Sequence, residues 1–150
     1  MGDFDFIYGR WDVANRKLAQ RHVGCRTWEA FEGVSRCSPR LGGVANVEEI
    51  TFTDRDWMGM ALRLYDPATE LWSIWWVDSR DGVLQPPVHG RFQDGRGLFE
   101  GEDDDEGRPV KVRFVWTPDA ERPRWEQAFS ADGGESWETN WIMDFTRRAA

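Results

Sequence analysis

Cysteine and histidine are nearly missing from this chain, two of each in 150 residues, and that scarcity removes several kinds of chemistry at once. Cys25 and Cys37 lie in what reads as one extended segment, where about 3.3 Å of rise per residue holds them far beyond disulfide reach. Two free thiols in a reducing cytoplasm are expected. His22 and His89 show no zinc spacing with each other or with the cysteines, so no metal site is expected. Positive charge is also short: 19 basic against 27 acidic side chains give a net charge of -8, which opposes a phosphate backbone or an anionic lipid surface. Neither nucleic acid nor membrane is expected as a partner. No apolar run approaches the roughly 18 residues of a membrane span, and residues 1–6 lack the basic and apolar regions of a secretory signal. The chain contains no Gly-x-Ser-x-Gly nucleophile elbow and no dinucleotide loop around Gly95-Arg96-Gly97. The acidic run 102–106 fails the EF-hand pattern and reads as a solvated turn. Helical periodicity of useful length is absent as well.

Aromatic residues are abundant: ten tryptophans and nine phenylalanines spread along the whole chain, as an aromatic interior would require. They sit in short runs of strict alternation, most clearly in the last hairpin, residues 125–145, where Trp125, Phe129, Trp141, Met143 and Phe145 share one parity. Earlier runs cover about 9–18, 25–36, 44–52, 58–65, 71–78, 88–93, 98–102 and 110–116, separated by Pro/Gly and Asp-Gly turn signals such as Asp66-Pro67-Ala68-Thr69. About ten short strands joined by hairpins define an all-β meander. Closure removes exposed edges, so one antiparallel up-and-down β-barrel of about 8–10 strands is expected as a single domain spanning 1–150, with a short helical turn at residues 3–8 closing one end. Parity also makes a specific claim about the last strand. Phe145 points inward, Thr146 outward and Arg147 inward again.

Gly9-Arg10-Trp11 resembles the Gly-x-Trp signature of lipocalins and related calycins, in which the tryptophan seals one end of the barrel and an arginine of the last strand packs across it. On that resemblance Trp11 and Arg147 form the seal. Phe4-Asp5-Phe6 followed by Gly9-x-Trp11-Asp12-Val13, Tyr65-Asp66-Pro67-Ala68-Thr69 then Leu71-Trp72-Ser73-Ile74, and Trp125-Glu126-Gln127-Ala128-Phe129-Ser130 with Trp137-Glu138-Thr139-Asn140-Trp141 are similar to a bacterial lipocalin-like family of unknown function. The likeness implies the calycin barrel and carries no settled activity. In the nitrobindin branch of calycins a histidine holds haem, but its motif is not recognisable here, and no cofactor is expected. Ser130-x-Asp132-x-Gly134-x-Ser136-Trp137 looks like the Asp-box turn of sialidase propellers; with a single copy its role is structural.

Taking the apolar parity of each strand as inward gives a candidate ligand wall of Trp28, Met60, Trp72, Trp76, Phe114, Trp125 and Trp141, with Asn46, Gln127 and Thr139 as orienting polar groups. Such a lining suits a small-molecule pocket; the alternative is a core filled by its own rings. The leading expectation is a carrier or sensor of a small, mostly apolar or aromatic molecule. The rival is a cofactor-independent isomerase or cyclase in which Glu48, inward among aromatics, is the acid or base; a one-residue slip would exchange it with Glu49. A homodimer, with Trp57 or Trp75 at the contact, is the third possibility.

Overall fold

The computed structural model describes residues 2–149. It is a closed, antiparallel, all-β barrel of ten strands in up-and-down order: β1 (Gly9–Leu18), β2 (Trp28–Arg40), β3 (Ala45–Phe52), β4 (Met58–Asp66), β5 (Leu71–Asp78), β6 (Val88–Gln93), β7 (Arg96–Asp105), β8 (Arg108–Thr117), β9 (Arg124–Ser130) and β10 (Glu138–Arg147). Each strand pairs with its sequence neighbours, and β10 returns to β1 with Trp11 opposite Arg147 and Val13 opposite Phe145. A 3-10 turn, Gly2–Ile7, precedes β1. No helix among the described residues is long and apolar enough to cross a membrane.

The turn forms a plug because Phe4 and Ile7 bury completely at one end of the barrel. Phe4 meets Trp72 and Phe92 edge-on, with ring centroids 4.8 and 5.0 Å apart. Trp11 lies beside this plug, 0% exposed, its indole N–H donating to Ile7 O at 2.8 Å. The opposite end is covered by loops. There Trp57 packs on Phe52 with centroids 4.6 Å apart, and Arg80 lies over Trp57 at 3.8 Å.

Two strands run with the opposite parity from that expected. In β2 the buried side chains are Phe31, Ser35 and Cys37, with Gly33 between them, while Trp28 is 37% exposed on the outside. In β4 Met60 faces out, 37% exposed, as do Met58, Leu62 and Leu64, and the inner face is Gly59, Ala61, Arg63 and Tyr65. In β4 the reason is steric. Gly59 lies beneath the Trp76 ring, and a Cβ at that position would run into it; small side chains face inward where a neighbouring indole fills the space. Hydrophobicity therefore misleads here, because the outer wall carries the methionines and leucines.

A third difference arises in β10. The register to β9 shifts between Thr139 and Trp141, a β-bulge that places one extra residue against the partner strand. Thr139 pairs with Ala128, on the face opposite Trp125 and Gln127, and Asn140 takes the interior position with 2% exposure. The β7 strand also runs through the acidic stretch to Asp105, and the turn is only Glu106-Gly107, both at positive φ. The two cysteines are free.

Candidate functional site

Above the plug the barrel holds a cavity of about 100 Å³. Its walls come from the inward positions of β5, β8, β9 and β10: Trp76, Phe114, Trp125, Phe129 and Trp141. These rings meet edge to face, Phe114 with Trp125 at 5.1 Å, Trp125 with Trp141 at 5.5 Å and Trp76 with Trp141 at 6.0 Å, the arrangement aromatic quadrupoles favour. Between β5 and β6 the pairing spans only Trp72–Ile74 with Gly90–Val88. Beyond it Gln85 N–H donates to Trp76 O at 2.8 Å, so the chain after β5 lays Gln85 and Pro86 across the gap as part of the wall.

The floor of the cavity is ionic. Arg63 and Glu48, 2% and 6% exposed, both line it and form a buried salt bridge through Arg63 Nη2 and Glu48 Oε1. Register brings them together: Asn46 pairs with Arg63 and Glu48 with Ala61, so the two polar residues of β3 face the one charged inward residue of β4. Arg63 Nη1 also donates to Asn46 Oδ1 at 2.8 Å and to Cys37 Sγ at 3.6 Å. Ser35 Oγ–H donates to Glu48 Oε2 at 2.6 Å. The guanidinium lies beside the rings of Phe4, 4.9 Å away, and Trp116, 5.3 Å away, which stand nearly perpendicular to each other. Burial works against the charged arginine, but the Glu48 carboxylate and the Cys37 sulfur outweigh it, so its pKa is raised from the ordinary value. Burial pushes the Cys37 thiol up to about 12.

The structure gathers Glu48, Trp76, Phe114, Trp125, Gln127 and Trp141 around the cavity. Trp72 lies below it in the plug, its indole N–H bonded to Asp3 Oδ2 at 2.9 Å, and Asn46 lies behind Arg63. Trp28, Met60 and Thr139 are outside it for the parity and bulge reasons given above. At the other side of the plug Arg147 lies over Trp11 at 4.1 Å. Sequence reasoning missed Arg63 and Asn140. A signal for Arg63 existed: two inward polar residues on β3 need a partner, and β4 carries a single basic residue. The bulge that turns Asn140 inward has no such signal.

Towards the end opposite the plug Lys17 faces in, its Nζ 4.4 Å from the Trp141 ring. Burial, with Arg80 and Arg21 nearby, lowers its pKa. His22 stacks on Phe129 with centroids 6.5 Å apart, and its Nε2 lies 2.7 Å from Asp105 Oδ2. His89 is outward, 2.7 Å from Ser73 Oγ. Among the described residues no group of three or more His, Cys, Asp or Glu could hold a metal ion. The Asp-box turn closes on itself: Asp132 Oδ1 accepts from Ser136 N–H at 2.9 Å and from Ser130 Oγ at 2.7 Å.

No protein-family model matches this chain, and no curated protein matches it either. The fold and the cavity define a closed β-barrel with an aromatic interior, an architecture compatible with ligand binding.

Proposed function

We propose that this protein binds a small, mostly apolar or aromatic molecule inside the barrel, as a carrier or sensor of the lipocalin-like kind. The single observation behind this reading is the cavity itself, lined by seven aromatic residues and floored by Arg63 and Glu48 with Gln127 beside them. An apolar cavity of about 150 Å³ holds benzene, so a space of about 100 Å³ encloses no more than a single small ring. Burying about 200 Å² of such a ligand at roughly 25 cal/mol per Å² contributes about 5 kcal/mol, in the range of 0.2 mM, before polar contacts add to it. The Gly-x-Trp start and the Arg147 cover over Trp11 support a place among calycins, and two free thiols support the cytoplasm as its compartment. In this reading no cofactor takes part, nucleic acid and membranes are not partners, and any homodimer uses the outer face bearing Met58 and Met60.

The rival enzyme reading rests on Glu48. Both of its oxygens are already engaged, one by Arg63 and one by Ser35, which favours a structural and orienting carboxylate. Titrating the protein with ring-sized compounds such as benzene, toluene and phenol, while following tryptophan fluorescence and the melting temperature, tests the binding reading. At least one compound should quench and stabilise; no response from any at millimolar concentration would sink it. Conversion of a bound compound that is lost in Glu48→Gln would transfer the case to catalysis.

A further inference from the structure

Lysine is scarce in this chain: of 19 basic side chains only Lys17 and Lys111 carry an amine. Lys111 stands exposed on β8. Lys17 instead faces into the end of the barrel opposite the plug, half-buried, on the same side of β1 as Trp11, Val13 and Asn15. It lies directly across from Trp141 on β10, with Nζ over that ring. The charges around it are already matched. Arg21 is taken by Asp105 at 2.6 Å, Arg80 by Asp78 at 2.8 Å and Arg55 by Glu29 at 4.0 Å. Glu29 is the residue directly across from Lys17 on β2, yet its carboxylate turns to Arg55. Among the described residues Lys17 therefore has three guanidiniums for neighbours and no carboxylate of its own.

Burial, then Arg80 and Arg21, with Asp78 opposing them and Arg55 adding to them, favour the uncharged amine. An arginine in the same place would stay charged, whereas a lysine gives up its proton there and becomes a nucleophile. We propose that Lys17 is a covalent binding site for small neutral aldehydes, held as an imine beside Trp141. The Nζ lone pair forms a bond to the carbonyl carbon, and one amine hydrogen moves to the carbonyl oxygen. The carbinolamine then loses that oxygen as water with the second amine hydrogen, leaving C=N. No oxidant or reductant is needed, and no occupant in the cavity. The aldehyde is neutral because each of the three guanidiniums already has its carboxylate, so none is free for an acid group such as that of a 2-oxo acid. The same surroundings retain the product. Water attacks the iminium rather than the neutral imine, and guanidiniums that disfavour an ammonium disfavour an iminium as well.

The probe is acetaldehyde with cyanoborohydride, which reduces the imine to a stable ethylamine that peptide mass spectrometry assigns to Lys17, Lys111 or the α-amine. At pH 7 Lys17 should be labelled several-fold faster than Lys111, and the ratio should shrink as pH rises towards the ordinary lysine value of about 10.4. Arg80→Met removes one guanidinium and releases Asp78 to an ammonium at Lys17. In that variant labelling of Lys17 at pH 7 should slow several-fold, while labelling of Lys111 stays as it was; a lysine that was merely accessible would show no such change. Carbon-13 resonances of the two lysines after reductive methylation with labelled formaldehyde give a second reading on the wild-type protein: that of Lys17 should titrate at lower pH than that of Lys111. Equal or slower labelling of Lys17 at pH 7, unchanged labelling of Lys17 in Arg80→Met, or coincident titration of the two resonances overturns the inference. Glyoxylate, an aldehyde that carries a carboxylate, should favour Lys17 over Lys111 less than acetaldehyde does; the reverse order overturns the choice of a neutral aldehyde.

Discussion

Arg147 covers Trp11, its guanidinium carbon 4.1 Å above the ring centroid, from the position directly opposite it across β1 and β10. The same guanidinium donates to three backbone carbonyls: Tyr8 O at 3.0 Å, Phe6 O at 3.1 Å and Ala120 O at 3.0 Å. One side chain thus ties the N-terminal plug, the first strand and the loop before β9 to the last strand.

Arg147→Met keeps much of the packing and removes the charge and all three hydrogen bonds. A cation over an aromatic face contributes roughly 0.5–2 kcal/mol and each net hydrogen bond about 1 kcal/mol, roughly 3.5–5 kcal/mol if all were buried; because the three hydrogen bonds are only part-buried or exposed, a loss of about 2–3 kcal/mol is expected in urea denaturation. Gly9 should be sensitive for the same reason. It sits at φ +120, where a side chain is strained, and a Cβ would approach Arg147 Nη1 to 2.8 Å. Unchanged stability in both Arg147→Met and Gly9→Ala would show that the seal contributes nothing.

The buried pair at the cavity floor makes a prediction of non-additivity. Removing one partner strands the other charge, so Glu48→Leu and Arg63→Met alone should each cost about 3–5 kcal/mol, while the double replacement should cost far less than the sum. A double-mutant cycle in urea measures it. Simple addition of the two single losses would mean that Glu48 and Arg63 do not compensate each other in the folded protein.

Strand positions were legible in the sequence because alternation and turn chemistry are local properties; residues 9–18 and 71–78, for example, are strands as the pattern requires. Arg147 was legible for the same reason, lying two residues beyond an unambiguous inward Phe145. Facing was lost where the interior departs from apolar. On β4 the inner side is Gly59, Ala61 and Arg63, chosen to fit an indole and to meet Glu48, and both needs belong to neighbouring strands rather than to β4 itself. On β10 the bulge shifts parity by one, which moves Thr139 out and Asn140 in. Such a shift is written in the pairing, not in the run of side chains.

The two thiols should differ sharply. Cys37 is 2% exposed, and burial pushes it up to about 12, so almost no thiolate forms at neutral pH, and the thiolate is the reactive species. Cys25 lies partly exposed in the loop before β2. A chromogenic disulfide reagent at pH 8 should titrate one thiol quickly and the second only after denaturation. Two rapid thiols in the native protein would contradict the placement of Cys37.

Asp105 couples the loop after β1 to the end of β7, and acid should release it. Arg21 donates to both of its oxygens at 2.6 and 2.7 Å, and His22 adds a third contact. The Arg21 hydrogen bonds, opposed by burial and helped by His22, hold the carboxyl below its ordinary 3.8. For a carboxyl lowered in the folded state the unfolded chain takes up protons first, so the stabilisation is fully present above about pH 4 and fades as pH falls through the folded-state value. Asp105→Asn should therefore lower stability by about 1–2 kcal/mol at pH 7, and the gap between variant and wild type should close below pH 4. A gap independent of pH between 7 and 3 would assign the effect to shape rather than charge.

The two faces of β4 can be told apart by substituting adjacent residues. Gly59 lies under the Trp76 ring, so Gly59→Ala must displace an indole that forms part of the cavity wall; overpacking of this kind costs about 1–3 kcal/mol, and ligand affinity should fall with it. Met60 stands on the outer surface one residue away, where Met60→Thr should change stability by no more than about 0.5 kcal/mol and leave binding untouched. Urea denaturation of the two variants, with an aromatic probe titrated into each, gives both numbers. A larger loss from Met60→Thr than from Gly59→Ala would reverse the facing of the strand, remove Arg63 from the interior, and take the ionic floor of the cavity with it.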